Sequence, residues 1–105
     1  MKEVTVQELK VMIDTGIDFQ LIDVREPHEY EICNLGGTLI PQGHLPNQVD
    51  RISKDKKVII MCRSGARSGN MAHWLEKNHG LLNLYNLKGG ILAWAREIDP
   101  SVPTY

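Results

Sequence analysis

Only two cysteines, Cys33 and Cys62, occur among the 105 residues, too few for the disulfide framework of a small secreted domain. No apolar run approaches the roughly 20 residues that a membrane-spanning helix needs, and the opening MKEVTVQELK lacks the apolar stretch of a signal peptide. A reducing cytoplasm is the default expectation. Charge of one sign is missing too: 12 Lys and Arg against 13 Asp and Glu leave a formal charge of −1, which offers no general attraction to nucleic acid or to an anionic membrane. The histidines, His28, His44, His73 and His79, form no CxxC, HxxxH or HExxH arrangement, so neither a metal nor another cofactor is expected. No repeat, low-complexity tract or linker divides the chain, and residues 1–105 read as one domain.

One further absence is local. From Val58 to Leu75 there is no carboxylate, while Arg63 and Arg67 bracket a short polar loop. The apolar run Lys57-Val-Ile-Ile-Met ends in Cys62, followed by Arg63-Ser64-Gly65-Ala66-Arg67-Ser68 and then a helical pattern. A cysteine at a strand end, turning through small residues into a helix N-terminus, meets a concentration of backbone N–H donors. Those donors and the nearby positive charge lower a thiol pKa from about 8.5 toward the range of about 3.5 to 7.5 found in reactive cysteines. Cys62 is therefore the candidate nucleophile. The alternative, an inert small hydrophobe at a strand end, is outweighed by the arginines and the glycine turn. Cys33 has no basic neighbour in sequence and reads as structural, with resolution of an oxidised Cys62 as its alternative role.

In chain order, Thr5-Val-Gln-Glu8 has the form of a capping box, and Val6, Leu9, Met12 and Ile13 share one helical face before Gly16. A short buried strand is expected over Asp18–Val24, then a charged segment in which Pro27 suits a helix first turn. Asp23, at the C-terminal end of the strand, and Arg25 and Glu26, just past it, are candidates for the rim of a site or for an ion-pair network that fixes the turn. A brief strand is expected over Thr38–Ile40. Leu45, Val49 and Ile52 recur at helical spacing between His44 and Ser53. After the Cys62 loop, Met71, Trp74 and Leu75 mark a helix that stops at Gly80. Leu82–Leu87 reads as a strand, and Gly89-Gly90 opens a last helix carrying Ile91, Trp94, Ala95 and Ile98. Strands alternating with helices imply a parallel sheet covered on both faces.

Three blocks together resemble the single-domain rhodanese-like sulfurtransferases: Leu21-Ile-Asp-Val-Arg-Glu26 with Glu29-Tyr30, Cys62-Arg-Ser-Gly-Ala-Arg-Ser68, and Leu87-Lys-Gly-Gly90 with Ala93-Trp94. The resemblance spans nearly the whole chain and implies a three-layer α/β/α fold around a central, mostly parallel sheet of four to five strands. Where many members carry a Gly-His-Ile-Pro-Gly-Ala stretch, this chain has Ile32-Cys-Asn-Leu-Gly-Gly37. That variant and the ending Asp99-Pro-Ser-Val-Pro-Thr-Tyr105 look like the rhodanese domains fused to adenylyltransferases of molybdopterin and thiolation pathways.

The resemblance implies that Cys62 takes a sulfane sulfur from a small anionic donor such as thiosulfate and passes it, through a persulfide, to a thiol, cyanide or a protein acceptor. The residues Arg63, Ser64, Gly65, Ala66, Arg67 and Ser68 would cradle the persulfide, with Arg67 bracing the loop and Arg63 meeting the donor. A persulfide carrier or a non-enzymatic binding module, serving a separate adenylyltransferase or sulfur-carrier protein, is the alternative. The loop from Cys62 to Arg67 holds six residues, the size that goes with sulfur in this family. Related phosphatases and arsenate reductases have one residue more and often a His before the Cys; here Met61 precedes it.

Overall fold

A computed structural model describes all 105 residues. In chain order the elements are β1 (Glu3–Val4), α1 (Val6–Asp14), β2 (Phe19–Asp23), α2 (Pro27–Ile32), β3 (Thr38–Leu39), two 3-10 turns (Leu45–Asn47 and Val49–Arg51), β4 (Lys57–Met61), α3 (Ala66–His79), β5 (Leu84–Leu87) and α4 (Gly90–Glu97). The five strands form one sheet in the order β1-β5-β4-β2-β3, and every neighbouring pair is parallel.

The capping box forms as the sequence predicts. The Thr5 side chain accepts from the Glu8 amide at 3.1 Å, and the Glu8 carboxylate accepts from the Thr5 amide at 2.9 Å, so two N–H groups at the helix start find partners. At the other extreme, α3 ends where Gly80 enters the left-handed region at φ +64° and its N–H reaches the Glu76 carbonyl.

Strand alternation divides the core between the two faces of the sheet. Val58, Ile60 and Cys62 fall in the cluster completed by Ala72 and Leu75 of α3, with Ile22, Leu45 and Leu84. Ile59 and Met61 fall in the other, with Val6, Leu9 and Met12 of α1 and Ile91 and Trp94 of α4. Period two therefore decides the side on which Cys62 emerges: the side of α3. Val58, Ile59, Ile60 and Met61 are all fully buried, each large side chain contributing roughly 1.5–3 kcal/mol by removal from water. A central strand apolar on both faces is what a sheet covered on both sides requires.

Two expectations need correction. Residues 44–53 do not make one helix. The chain takes two separate 3-10 turns with i→i−3 bonds such as Gln48 N–H to Leu45 O (2.9 Å) and Ile52 N–H to Val49 O (3.0 Å). Gln48, at φ −131° and ψ 25°, breaks the run between them. The spacing of Leu45, Val49 and Ile52 survives because both turns still aim apolar side chains at the sheet. The last strand begins at Leu84, not Leu82, which is 80% exposed.

Register brings the ends of the strands level. β2 and β4 pair from Phe19↔Lys57 to Asp23↔Met61, and β4 and β5 from Val58↔Leu84 to Ile60↔Asn86. The segments that follow β2, β4 and β5 thus emerge side by side at the C-terminal edge, where open parallel sheets bind ligands.

Candidate active site

Cys62 follows directly on β4 and is 1% exposed. Gly65 caps α3 at φ +100°, and a Cβ there would lie 3.3 Å from the Gly89 nitrogen and 3.4 Å from the Leu87 carbonyl oxygen. The backbone angle thus favours glycine, and the space for a side chain is tight. This turn points the Gly65 N–H at Cys62 Sγ, 3.1 Å away, and the Ser68 hydroxyl lies 3.3 Å from the same sulfur. Burial pushes the thiol pKa up, but donation from the Ser68 hydroxyl and from the amides of Ser68, Gly65 and Ser64 outweighs it, so the thiol sits below its ordinary value. What lowers it is hydrogen bonding in the cradle; of the two arginines on which the reading from sequence rests, Arg67 interacts with Cys62 from farther out.

The back of the loop is held by α4. The Ile91 and Leu92 amides, in the helix first turn, donate to the carbonyls of Cys62 (3.0 Å) and Arg63 (3.1 Å). Gly90, at φ +60°, allows this approach: a Cβ would come within 2.4 Å of the Arg63 oxygen and 2.5 Å of the Cys62 oxygen. With those carbonyls engaged behind the loop, its amides are left for the sulfur side. From β5, the Asn86 amide nitrogen donates to the Gly65 carbonyl (3.0 Å), and its oxygen lies 2.5 Å from the Ser68 hydroxyl.

Around this cradle runs a charged lattice. Arg67 makes two parallel bonds to Glu29, at 2.7 and 2.8 Å. The Glu26 amide donates to the same carboxylate at 2.8 Å and the Tyr105 hydroxyl at 3.0 Å. Led by Arg67, these donors hold the Glu29 pKa down to about 2 despite burial. Arg67 is correspondingly held above its ordinary value, first by Glu29, with a smaller contribution from Cys62. Arg25 donates to Asp23 at 2.7 Å, to the Cys33 carbonyl at 2.8 Å and to the Tyr105 hydroxyl at 2.9 Å. The Arg63 guanidinium lies 5.0 Å from the centre of the Tyr105 ring, within cation–π range, and its buried Nε has no hydrogen-bond partner.

The residues singled out from sequence are therefore placed as follows. Cys62 to Ser68 form one loop and the first turn of α3. Asp23 and Arg25 do not stand on an open rim: both are fully buried, because a guanidinium with this many internal acceptors can leave water. Of the three, Glu26 alone faces solvent. Cys33, at the end of α2, is buried and lies 3.9 Å from Arg25 Nη1. Sequence reasoning passed over Glu29, Asn86 and Tyr105 as site residues. The signal for Asn86 was available, a polar side chain inside the otherwise apolar Leu84–Leu87 strand. No three His, Cys, Asp or Glu side chains gather where they could hold a metal ion.

A profile of the rhodanese-like domain matches residues 5–97. The chain belongs to the rhodanese-like domain family. A crystal structure of a rhodanese-like domain protein from Staphylococcus aureus superposes with a TM-score of 0.83 at 29% identity, covering 100% of this chain and 99% of the other. The three-layer α/β/α expectation and its five parallel strands thus hold. Among curated relatives, a protein named "Sulfurtransferase" from Allochromatium vinosum is 35% identical over 97% of this chain and 95% of its own length. "Probable adenylyltransferase/sulfurtransferase MoeZ" from Mycobacterium tuberculosis is 31% identical over 97% of this chain. Some relatives are much longer: the rhodanese-like domain described here spans 26% of MoeZ and 38% of the Arabidopsis thaliana "Rhodanese-like/PpiC domain-containing protein 12, chloroplastic". No helix is long and apolar enough to cross a membrane.

Proposed function

We propose that this rhodanese-like domain is a sulfurtransferase that carries a sulfane sulfur on Cys62 as a persulfide. The observation that carries the reading is the six-residue loop closing on Cys62 Sγ, with the Gly65 amide at 3.1 Å and the Ser68 hydroxyl at 3.3 Å. Such a ring stabilises a thiolate and, one bond farther out, the charge on a terminal sulfur. Thiosulfate fits as donor: Cys62 attacks its outer sulfur, the sulfur–sulfur bond breaks with the electron pair on departing sulfite, and an acceptor nucleophile then removes the sulfur. The two half-reactions give ping-pong kinetics. The names of the relatives from Allochromatium vinosum and Mycobacterium tuberculosis support the same chemistry.

A phosphatase reading is disfavoured by the tight cradle. With Gly90 pressed against the Cys62 and Arg63 carbonyls, the loop has little freedom to widen around a tetrahedral phosphate. A persulfide carrier acting with an adenylyltransferase or a sulfur-carrier protein is the second reading, favoured by the combined activities in the name of MoeZ.

Intact mass after thiosulfate treatment tests the first step. One added sulfur, reversed by reductant and absent from Cys62→Ser, is expected; no adduct on folded protein would overturn the reading. Release rates to cyanide, glutathione, thioredoxin and a thiocarboxylate-forming carrier protein then distinguish a small-molecule enzyme from a carrier.

A further inference from the structure

Ser68 has one hydroxyl proton and two acceptors competing for it: Cys62 Sγ at 3.3 Å and Asn86 Oδ1 at 2.5 Å. The orientation of Asn86 follows from chemistry. Its Nδ2 faces the Gly65 carbonyl at 3.0 Å, and the flipped amide would set two acceptors against each other. Ser68 and Cys62 are no more than 1% exposed and Asn86 is 4% exposed, so bulk water does not supply a second proton. One donor therefore serves two sites in turn.

We infer that the Ser68 hydroxyl is a two-position proton rotor, resting on Asn86 while Cys62 carries sulfur and turning to Cys62 Sγ when that sulfur leaves. The inference rests on the persulfide reading above. In the loaded state the negative charge lies on the outer sulfur, and Sγ is a divalent sulfur, a weak acceptor. Asn86 then holds the proton. In release, the acceptor's lone pair forms a bond to the outer sulfur, the Sγ–S bond breaks and its electron pair stays on Sγ. With cyanide, persulfide anion and cyanide become thiolate and thiocyanate, so charge and atoms balance. The new thiolate draws the hydroxyl across, because a hydrogen bond to a charge is roughly twice as strong as a neutral one. Ser68, touching the reacting sulfur, is a catalytic residue; Asn86, acting through it, is a positioning residue. Of the charged groups around the thiol, Arg67 of α3 bears on Sγ and is paired with Glu29 of α2, and Arg63 stands over Tyr105; the substitutions below leave all of them in place.

The two residues make opposite predictions. Ser68→Ala removes the donor, so single-turnover release of sulfur to cyanide falls about tenfold, as expected for one lost hydrogen bond to a charge. The pH midpoint for alkylation of the free thiol by iodoacetamide rises by about one unit. Asn86→Leu removes the competing acceptor, so that midpoint falls, and in a Ser68→Ala background the same change does not move it. The Gly65 carbonyl remains satisfied in that variant, since it also accepts from the Gly69 amide at 3.0 Å. If Asn86→Leu does not fold by far-ultraviolet circular dichroism, Asn86→Ala carries the same expectations. A midpoint raised in both backgrounds would reduce Asn86 to a brace for the loop, and unchanged release and midpoint in Ser68→Ala would remove the rotor altogether. Absence of the sulfur adduct in the unsubstituted protein defeats the persulfide reading instead, while alkylation, which needs no bound sulfur, still judges the competition for the proton.

Discussion

Replacing Glu29 with glutamine keeps the size of the side chain and removes the charge that Arg67 grips. The carboxylate is held at a pKa of about 2, first by Arg67, against an ordinary value of 4.5. With its folded pKa depressed, Glu29 stabilises the fold fully at pH values above 4.5, and the contribution fades as pH falls toward the folded value. The difference corresponds to about 3 kcal/mol at neutral pH, of which about 2 kcal/mol is lost by pH 3. The Glu29 side chain is 9% exposed and that of Arg67 30%, so the pair is partly screened by water and about 3 kcal/mol is the upper figure for breaking it. For a domain of this size such a loss lowers the melting temperature by roughly 15 °C. Urea unfolding of Glu29→Gln and the unsubstituted protein, at pH 7 and pH 3, measures it. The gap should be wide at pH 7 and narrow to about 1 kcal/mol at pH 3. Arg67, no longer neutralised, should at the same time lower the alkylation midpoint of Cys62. A gap below about 1 kcal/mol at pH 7, or one of equal width at both pH values, would refute the assignment of the low pKa to this pair.

Gly90→Ala forces a Cβ to within 2.4 Å of the Arg63 oxygen at a positive φ; a loss of roughly 2–4 kcal/mol in thermal unfolding, with collapse of sulfur transfer, is expected. Arg63→Ala should raise the KM for thiosulfate more than it lowers kcat, and steady-state kinetics showing a fall in kcat alone would remove Arg63 from donor binding. Cys33→Ser should retain most transfer activity, since Cys33 stands at the end of α2 behind Arg25; loss of transfer in a folded variant would give that thiol a part in the chemistry.

What could be read from the sequence was what local rules encode. The capping box at Thr5, the stop at Gly80 and the strand-loop-helix around Cys62 each depend on neighbours a few residues apart. Strand β1 escaped because Glu3–Val4 is too short to show a period, and only pairing with Asn86 and Leu87 of β5 makes it a strand. The 3-10 turns escaped because Leu45, Val49 and Ile52 meet the helical spacing without a continuous helix. Within the site, the loop was legible and its supports were not. Glu29 reaches Arg67 across 38 residues of sequence and Tyr105 across 76, and nothing in the local pattern signals either meeting. From sequence, Asp23 and Arg25 qualify either for a rim, because charge ordinarily seeks water, or for an ion-pair network that fixes the turn; the structure has the network, and the pairing lets both residues sink beneath the surface.

The cradle is assembled from pieces that only the finished sheet brings together: amides from α4 behind the loop, a carboxylate from α2 beside it and an amide side chain from β5 beneath it. Before β2 and β5 have both docked on β4, the loop lacks the braces that turn its own donors, the Gly65 amide and the Ser68 hydroxyl, onto Cys62. Selective labelling of Cys62 thus reports completion of folding, and a nascent or partly opened chain carries no activated sulfur site to be charged or oxidised out of turn.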